Sequence, residues 1–181
     1  MTTVAVRPGA KGAIAADTLV GGSSSKYLLS SGQSKLSIWP ESTIACGVAG
    51  HASDIQRLRL LPAPPALDEA TLTAWALGVE EALPGFWERS SCVLLDLASG
   101  AAAAVEDGFA ALLSGPYAIG SGEAHAMGAM AMGASPARAV EVAGLFDDGT
   151  GGETHSLQVV PKRRRVNSGS TTGAGRDPRS R

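Results

Sequence analysis

The chain opens with Met1-Thr-Thr-Val-Ala-Val-Arg7, continues through Pro8-Gly-Ala-Lys-Gly12, and then reads Ala13-Ile-Ala-Ala-Asp17. The first segment has the β-branched content of a strand, and the second carries the proline and glycines of a turn. The third segment is another short apolar run. We therefore expect a β-hairpin that begins with the first residues of this sequence.

The rest of the chain predicts a mixture of strands and helices. Short strand-like runs, separated by glycine, proline or serine, are found at 26–30, 34–39, 42–48, 91–97, 101–106, 109–113 and 154–160. Helical spacing or capping residues predict helices at 52–61, 69–83, 122–132 and 137–145. Leu60 belongs to the apolar face of the first helix, Asp68 caps the second, and Ser135 with Pro136 begins the last. This order indicates an α+β fold with helices outside antiparallel sheets.

The net charge separates a domain from a tail. The last 21 residues hold seven basic residues and one acidic residue, a local charge of +6. Because the formal net charge of the whole chain is −2, residues 1–160 carry −8. An acidic domain with 4% aromatic residues is unlike a nucleic-acid-binding domain, which needs a basic face or a stacking platform. We therefore predict a domain at 1–160 and a basic, disordered tail at 161–181, whose composition cannot bury apolar surface.

The tail contains Pro-Lys-Arg-Arg-Arg-Val at 161–166, which is similar to a nuclear import signal and to short nucleic-acid-binding runs. The interpretation that we favour is a solvated extension. Opposite charges would attract it to the acidic domain of a neighbouring copy or to a partner ring at modest salt.

The sequence also indicates several features that we do not expect in this protein. The chain has no apolar run of 18 residues and no secretory signal pattern, so we expect neither a membrane span nor export. Cys46 and Cys92 lie in strand-like apolar runs, which favours buried thiols in a reducing cytoplasm over a disulfide. The three histidines share no metal-binding spacing, and residues 147–152 lack the ligand series of a calcium loop.

Thr2 is the best candidate for a catalytic nucleophile. A small second residue allows removal of the initiator Met1, which leaves Thr2 with a free α-amine beside its own hydroxyl. The amine has a reference pKa of about 7.7–8.0, close enough to neutrality to act as a base for that hydroxyl. No histidine is then required. If Thr2 is not the nucleophile, Thr3 is the next candidate.

Motifs follow Thr2 in a fixed order over residues 2–160. They are Ile-Ala-Ala-Asp at 14–17, Lys35, Ile-Ala-Cys-Gly-Val-Ala-Gly at 44–50, Ala-Ile-Gly-Ser-Gly at 118–122 and Asp-Asp-Gly-Thr-Gly-Gly at 147–152. Together with the first seven residues, they resemble the N-terminal threonine peptidases of the proteasome type. The HslV-like subunits and the bacterial proteasome homologues are the most similar groups.

The resemblance implies a role for three of these residues. Thr2 is the nucleophile, Lys35 lies beside it and favours the neutral amine and the developing alkoxide, and Asp17 orients and neutralises Lys35. Read from the residues alone, Asp17 could be a turn residue and Lys35 a solvated charge on an edge strand. The first hairpin is one residue shorter than in typical relatives. Asp17 therefore follows Thr2 by one position fewer than the corresponding aspartate does in those proteins.

The resemblance also implies the rest of the site. The Gly50 amide donates to the oxyanion, and Ser121 and Asp147 hold the amine and position water. Gly50 and Ser121 are also plausible helix starts, and in this family the two roles coexist. Val48 and Ala52 face a first specificity pocket of medium apolar character.

The fold and activity implied are a four-layer αββα N-terminal-nucleophile hydrolase and a threonine endopeptidase that works through a threonyl ester. It uses no metal or organic cofactor, cleaves peptides or unfolded proteins, and assembles as stacked homo-oligomeric rings. An ATP-dependent unfoldase is the implied partner, because enclosure excludes folded substrates. The prolines at 62–65 interrupt a helix and alter the surface where neighbouring subunits or an ATPase partner would dock. The number of subunits per ring, six or seven, is therefore not determined by the resemblance. The alternatives are a catalytically silent scaffold subunit that keeps Met1 and a small-amide hydrolase of the same fold.

Overall fold

The computed structural model describes residues 2–21, 25–30 and 33–160; the predicted tail lies outside them. The strands are β1 (Thr3–Arg7), β2 (Ala13–Asp17), β3 (Leu19–Gly21), β4 (Lys26–Leu28), β5 (Leu36–Ile38), β6 (Ile44–Ala49), β7 (Ser91–Asp96), β8 (Ala102–Glu106), β9 (Phe109–Leu113), β10 (Tyr117–Gly120) and β11 (Thr154–Gln158). The helices are α1 (Ala52–Leu58), α2 (Glu69–Ala82), α3 (Phe86–Arg89), α4 (Glu123–Ala131) and α5 (Pro136–Ala143).

The expected hairpin at the start of the sequence is confirmed. Strands β1 and β2 pair antiparallel, with Val4 opposite Ala16. The turn between them is closed by a hydrogen bond of 2.7 Å from the Gly12 N–H to the Gly9 carbonyl. Gly9 has a φ of +110°, a backbone conformation that glycine adopts without steric cost.

The strands form two main antiparallel sheets. One has the order β10-β1-β2-β11, so the opening hairpin occupies its centre, and the other has the order β5-β6-β7-β8-β9. Strands β3 and β4 form a separate two-stranded antiparallel sheet. The last described strand, β11, returns to pair with β2, which places the C-terminal part of the domain beside its beginning.

The two main sheets pack face to face. Alternate residues of β1 point to opposite sides, so Val4 and Val6 lie in the core between the sheets while Ala5 faces outward. From the second sheet, Val93 and Leu95 of β7 enter the same inter-sheet core. Each central strand is therefore buried on both faces, which accounts for its nearly continuous apolar sequence.

Helices cover the outer face of each sheet. Small residues dominate where α4 and α5 lie on the first sheet: Ala5, Ala15, Ala118, Ala126, Ala139 and Ala143. Larger residues fill the layer between α1, α2 and the second sheet: Ile55, Leu58, Leu72, Val79, Phe86 and Trp87. The layers thus follow the order αββα, and the fold class expected from the sequence is confirmed.

The capping residues were well predicted, while some boundaries were not. The Asp68 carboxylate accepts from the Thr71 N–H, and the Ser135 hydroxyl accepts from the Arg138 N–H. Leu60 was expected on the apolar face of the first helix, but α1 ends at Leu58 and Leu60 is 85% exposed. The helix stops early because the chain must leave it before the proline-rich segment that follows. Strand β10 and the one-turn helix α3 were not predicted.

Two further expectations can be compared with the described residues. None of the described helices has both the length and the apolar character needed to cross a membrane. Cys46 and Cys92 are buried free thiols, and burial raises the pKa of Cys92 well above its usual value. Both thiols lie in the layer beneath α1 and α2, as expected for small buried hydrophobes.

Gly47 provides a test of the packing between the sheets. A Cβ atom at this position would lie 2.5 Å from a methyl group of Val4. We expect Gly47→Ala to lower the free energy of unfolding by about 1–3 kcal/mol, because the sheets would have to move apart. Gly78 of α2 is the control, since its Cβ would meet nothing within 4 Å. We expect Gly78→Ala to raise stability by up to about 1 kcal/mol. Equal effects in urea unfolding would contradict this description of the core.

Candidate active site

Thr2 lies immediately before β1 and is held against the end of β10. Its carbonyl oxygen accepts a hydrogen bond of 2.9 Å from the Ser121 N–H. Gly120 has a φ of +100°, and a Cβ there would lie 2.0 Å from the Thr2 carbonyl oxygen. This close approach therefore requires glycine. Thr2 is buried, with 3% of its surface exposed.

Asp17, at the end of β2, is the hub of the polar contacts beside Thr2. Its Oδ1 accepts from the N–H of Thr3 at 3.0 Å and from the Nζ of Lys35 at 2.8 Å. Its Oδ2 accepts from the N–H groups of Leu19 and Gly151, both at 3.1 Å. Both carboxylate oxygens are thus satisfied. Asp17 does bond the N–H two residues on, as a turn aspartate does, but it is also buried and bonds three groups from distant parts of the chain, so its role extends beyond the turn.

Lys35 is buried as well, so the interpretation of a solvated edge-strand charge is wrong. The residue is 1% exposed, and its ammonium donates both to Asp17 and to the Leu19 carbonyl. Burial lowers the pKa of Lys35, while the charge of Asp17 and the hydrogen bond to it act in the opposite direction. The ion pair therefore supplies a desolvated positive charge close to the start of β1.

The side chains of Ser121 and Asp147 are hydrogen-bonded to each other next to the Thr2 backbone. The Ser121 hydroxyl lies 2.7 Å from Asp147 Oδ2 and 3.5 Å from the Thr2 carbonyl oxygen. Its single proton is better used on the carboxylate, which is nearer and charged. Burial alone would raise the pKa of Asp147, but hydrogen bonds from Thr150 and Ser121 hold that pKa below its ordinary value.

A chain of hydroxyl groups extends this network to β1. Thr150 Oγ1 donates to Asp147 Oδ2 at 2.6 Å and lies 2.5 Å from Thr3 Oγ1. Because the only hydroxyl proton of Thr150 is given to Asp147, Thr3 must donate to Thr150. Thr3 in turn accepts from the Gly122 N–H at 3.0 Å. Every hydrogen bond in this series of hydroxyl groups therefore has an assigned donor and acceptor.

Thr150 is a member of this network to which the sequence analysis gave no role, and Thr3 was named there only as a substitute nucleophile. The Thr3 hydroxyl is bonded to Thr150 and to the Gly122 N–H, which makes Thr3 a poor substitute for Thr2 as the nucleophile. The spacing of Thr150, three residues after Asp147, is a signal that the sequence did contain. A hydroxyl at that distance from an aspartate commonly bonds to it within a turn.

Gly50 and Thr2 line one cleft, of about 380 Å³, together with Arg89, Ser90 and Ser121. Gly50 follows β6 with a φ of +136°, and it immediately precedes His51, the N-cap residue of α1. Ser121 likewise precedes the N-cap residue of α4. The two positions thus combine a helix start with proximity to Thr2.

The two predicted specificity residues lie in different places. Ala52 lines a smaller cavity, of about 80 Å³, with Val20, Ile55 and Arg59 among its neighbours. Val48 is 2% exposed and belongs to the core between the second sheet and its helices, so it does not line that cavity. Within the described residues, no group of three or more His, Cys, Asp or Glu could hold a metal ion.

The buried ion pair gives a testable expectation for stability. Asp17→Asn removes the charge that compensates Lys35, and we expect it to lower the free energy of unfolding by about 3–5 kcal/mol. Lys35→Met should cost less, because Asp17 keeps three backbone N–H donors. The double variant should lose less than the sum of the two single changes. Additive losses in urea unfolding would contradict the coupling.

The free energy of unfolding should also depend on pH through Lys35. Because the pKa of Lys35 in the folded state lies below its ordinary value of 10.5, the folded protein binds fewer protons than the unfolded chain just below that pH. The stability of the wild type, measured relative to Lys35→Met, should therefore rise with pH in this window. A difference independent of pH would contradict the lowered pKa.

Comparison with known proteins yields a fold. No protein-family model and no curated protein matches the chain. Among solved structures, Thiobacillus denitrificans BPH in complex with epoxomicin has 21% sequence identity and a TM-score of 0.75, covering 89% of this chain and 100% of that one. A second structure of BPH has the same identity and TM-score, with coverage of 90% and 100%. HslV from Trypanosoma brucei has 18% identity and a TM-score of 0.67, with coverage of 87% and 98%. The chain therefore has the αββα fold of the proteasome and HslV type.

Proposed function

We propose that this chain is an N-terminal threonine peptidase subunit in which Thr2 becomes the nucleophile after removal of Met1. The observation that carries the proposal is the buried Lys35–Asp17 pair, because Asp17 also binds the N–H of Thr3, the residue next to Thr2. Burial of an ion pair costs free energy of desolvation. A position beside the candidate nucleophile explains why such a pair is present, because perturbed charged groups cluster at functional sites.

The reaction that we propose proceeds in two steps. In the first, the hydroxyl oxygen of Thr2 attacks the scissile carbonyl carbon, and its proton passes to the α-amine of Thr2 and then to the leaving amine. The product amine departs and a threonyl ester remains. In the second, water gives a proton to the α-amine as its oxygen attacks the ester carbonyl carbon. The bond from that carbon to the Thr2 oxygen then breaks, the proton passes from the amine to the Thr2 oxygen, and the acyl fragment leaves as a carboxylic acid. The charge of Lys35 favours both the neutral amine and the developing alkoxide.

The remaining residues have supporting roles in this proposal. The Ser121 proton is directed to Asp147, so the lone pairs of the Ser121 oxygen are available to accept from the α-amine of Thr2. The lowered pKa of Asp147 keeps this acceptor ionised near neutral pH. Gly50 lines the cleft with Thr2 and donates its amide to the oxyanion.

The proposed substrates are peptides or unfolded proteins. One of the BPH structures is a complex with epoxomicin, and we extend the binding of that compound to the present chain as part of the proposal. The cavity beside Ala52 is the candidate first specificity pocket, with Val48 acting only as its support through the core. We also propose assembly into rings, which the likeness to BPH and HslV supports, while an unfoldase partner and a cytoplasmic location stay predictions.

The nucleophile can be tested by mass spectrometry. An intact-mass measurement of the protein from its native host should show loss of Met1, and a peptide epoxyketone should then add one inhibitor mass at Thr2. Thr2→Ala should stay unlabelled, because the hydroxyl that attacks the inhibitor is absent. A chain that retains Met1 would favour the silent scaffold instead. Labelling that persists in Thr2→Ala would place the nucleophile elsewhere.

Thr150 tests the hydroxyl chain. Thr150→Val keeps the shape of the side chain but leaves Thr3 without its acceptor and Asp147 without one donor. We expect kcat for a fluorogenic peptide to fall by about tenfold or more, because small displacements of reacting groups are costly. Thr150→Ser keeps the hydroxyl and is the matched control, expected near wild-type kcat. Equal rates for the two variants would remove Thr150 from the mechanism.

A further inference from the structure

A second buried polar network packs against Gly50. The His51 N–H donates to Ser90 Oγ at 3.0 Å, and Ser90 Oγ donates to Asp54 Oδ2 at 2.9 Å. Asp54 is 1% exposed and Ser90 is 4% exposed. A hydroxyl has one proton, so the carboxylate of Asp54 fixes the direction of the Ser90 hydroxyl, and that hydroxyl fixes the His51 N–H.

This tether acts on the backbone of Gly50. The His51 N–H and the Gly50 carbonyl belong to one planar peptide unit, and the Gly50 N–H belongs to the preceding unit. The two planes can rotate relative to each other only about the bonds of the Gly50 Cα. Glycine allows more of these rotations than any other residue, so an amide that must point in one direction gains from an external restraint.

Close packing supplies the other part of the restraint. A Cβ on Gly50 would lie 2.4 Å from both the Arg89 carbonyl oxygen and Ser90 Oγ. The last residue of α3, Arg89, and the next residue, Ser90, are therefore in direct contact with the Gly50 backbone. Substitution of Gly50 is prevented by this contact and by its φ of +136°.

The network is not optimised for stability. Asp54 Oδ1 is buried and has no hydrogen-bond partner among the described residues. The guanidinium of Arg89 approaches Oδ2 at 3.5 Å from a side chain that is 40% exposed, so it compensates the buried charge only in part. A buried carboxylate with an unsatisfied oxygen costs free energy, which suggests that it is retained for another reason.

We propose that Asp54 and Ser90 are positioning residues that hold the Gly50 amide in the direction needed to bind the oxyanion. The inference rests on the proposed function, since it assigns a purpose to the donor that the threonine mechanism uses. Neither side chain has to touch the substrate. Ser90 acts through the Gly50–His51 peptide, and Asp54 acts through Ser90.

The test compares ligands that do and do not form an oxyanion. A peptide aldehyde adds to the Thr2 hydroxyl and places a hemiacetal oxygen at the oxyanion position, whereas the matching peptide alcohol does not react. We expect Ser90→Ala to lower kcat about tenfold with KM changed less than about twofold, because a misdirected donor loses part of its effect. It should weaken the aldehyde by a similar factor and leave the alcohol unchanged.

Three further variants complete the design. Ser90→Thr keeps the hydroxyl and should restore both kcat and aldehyde affinity, while Asp54→Ala should behave as Ser90→Ala does. Ser53→Ala removes an exposed serine of the same helix, which contacts only the His51 ring in this region, and should match the wild type. If Asp54→Ala fails to fold, the Ser90 pair still decides the question.

The outcomes separate the inference from the proposed function. Unchanged kcat and aldehyde affinity in Ser90→Ala would overturn the positioning role while Thr2 labelling stays intact. Equal weakening of aldehyde and alcohol would also overturn it, since that pattern reports general damage to the cleft. Absence of labelling at Thr2 in the wild type would remove the proposed function, and the inference with it.

Discussion

The ion pair between Lys35 and Asp17 is the interaction on which the rest of the site depends. It is buried, and through Asp17 it connects the end of β2 to the N–H of Thr3, the start of β3 and the backbone at Gly151. Three distant segments, at Thr3, Lys35 and Gly151, are thus bonded to one carboxylate. A charge in this position would be prohibitive without its partner, so the pair forces these segments into one arrangement.

Around this pair, the site is built from directed protons and from close backbone approaches. The Thr150 hydroxyl donates its proton to Asp147, which also accepts from Ser121, and in the same way Ser90 donates to Asp54 beside the Gly50 amide. In both networks a carboxylate sets the direction of a hydroxyl. Such networks are rigid only when most of their members are bonded, which distinguishes them from solvated surface charges.

The sequence predicted those parts of the fold that depend on local rules. The opening hairpin, the caps at Asp68 and Ser135 and the alternation of helical and strand segments all arise from contacts within a few residues. Strand β10 was missed because its four residues show no clear alternation and it gains its partner, β1, more than 100 residues away. Leu60 was misplaced for a similar reason, since its helical spacing continues past the point where the chain turns away.

Residue patterns alone indicated an α+β fold, and the resemblance carried by the ordered motifs implied the αββα layers and the grouping of Thr2, Asp17 and Lys35. Whether Asp17 and Lys35 were surface residues or a buried pair depended on the folded structure, since burial is a property of neighbours from distant segments. The hydroxyl chain through Thr150 likewise emerged only once β11 had returned to β2 and brought the preceding loop to the start of β1. Long-range sheet pairing, rather than local preference, brings these groups within hydrogen-bonding distance.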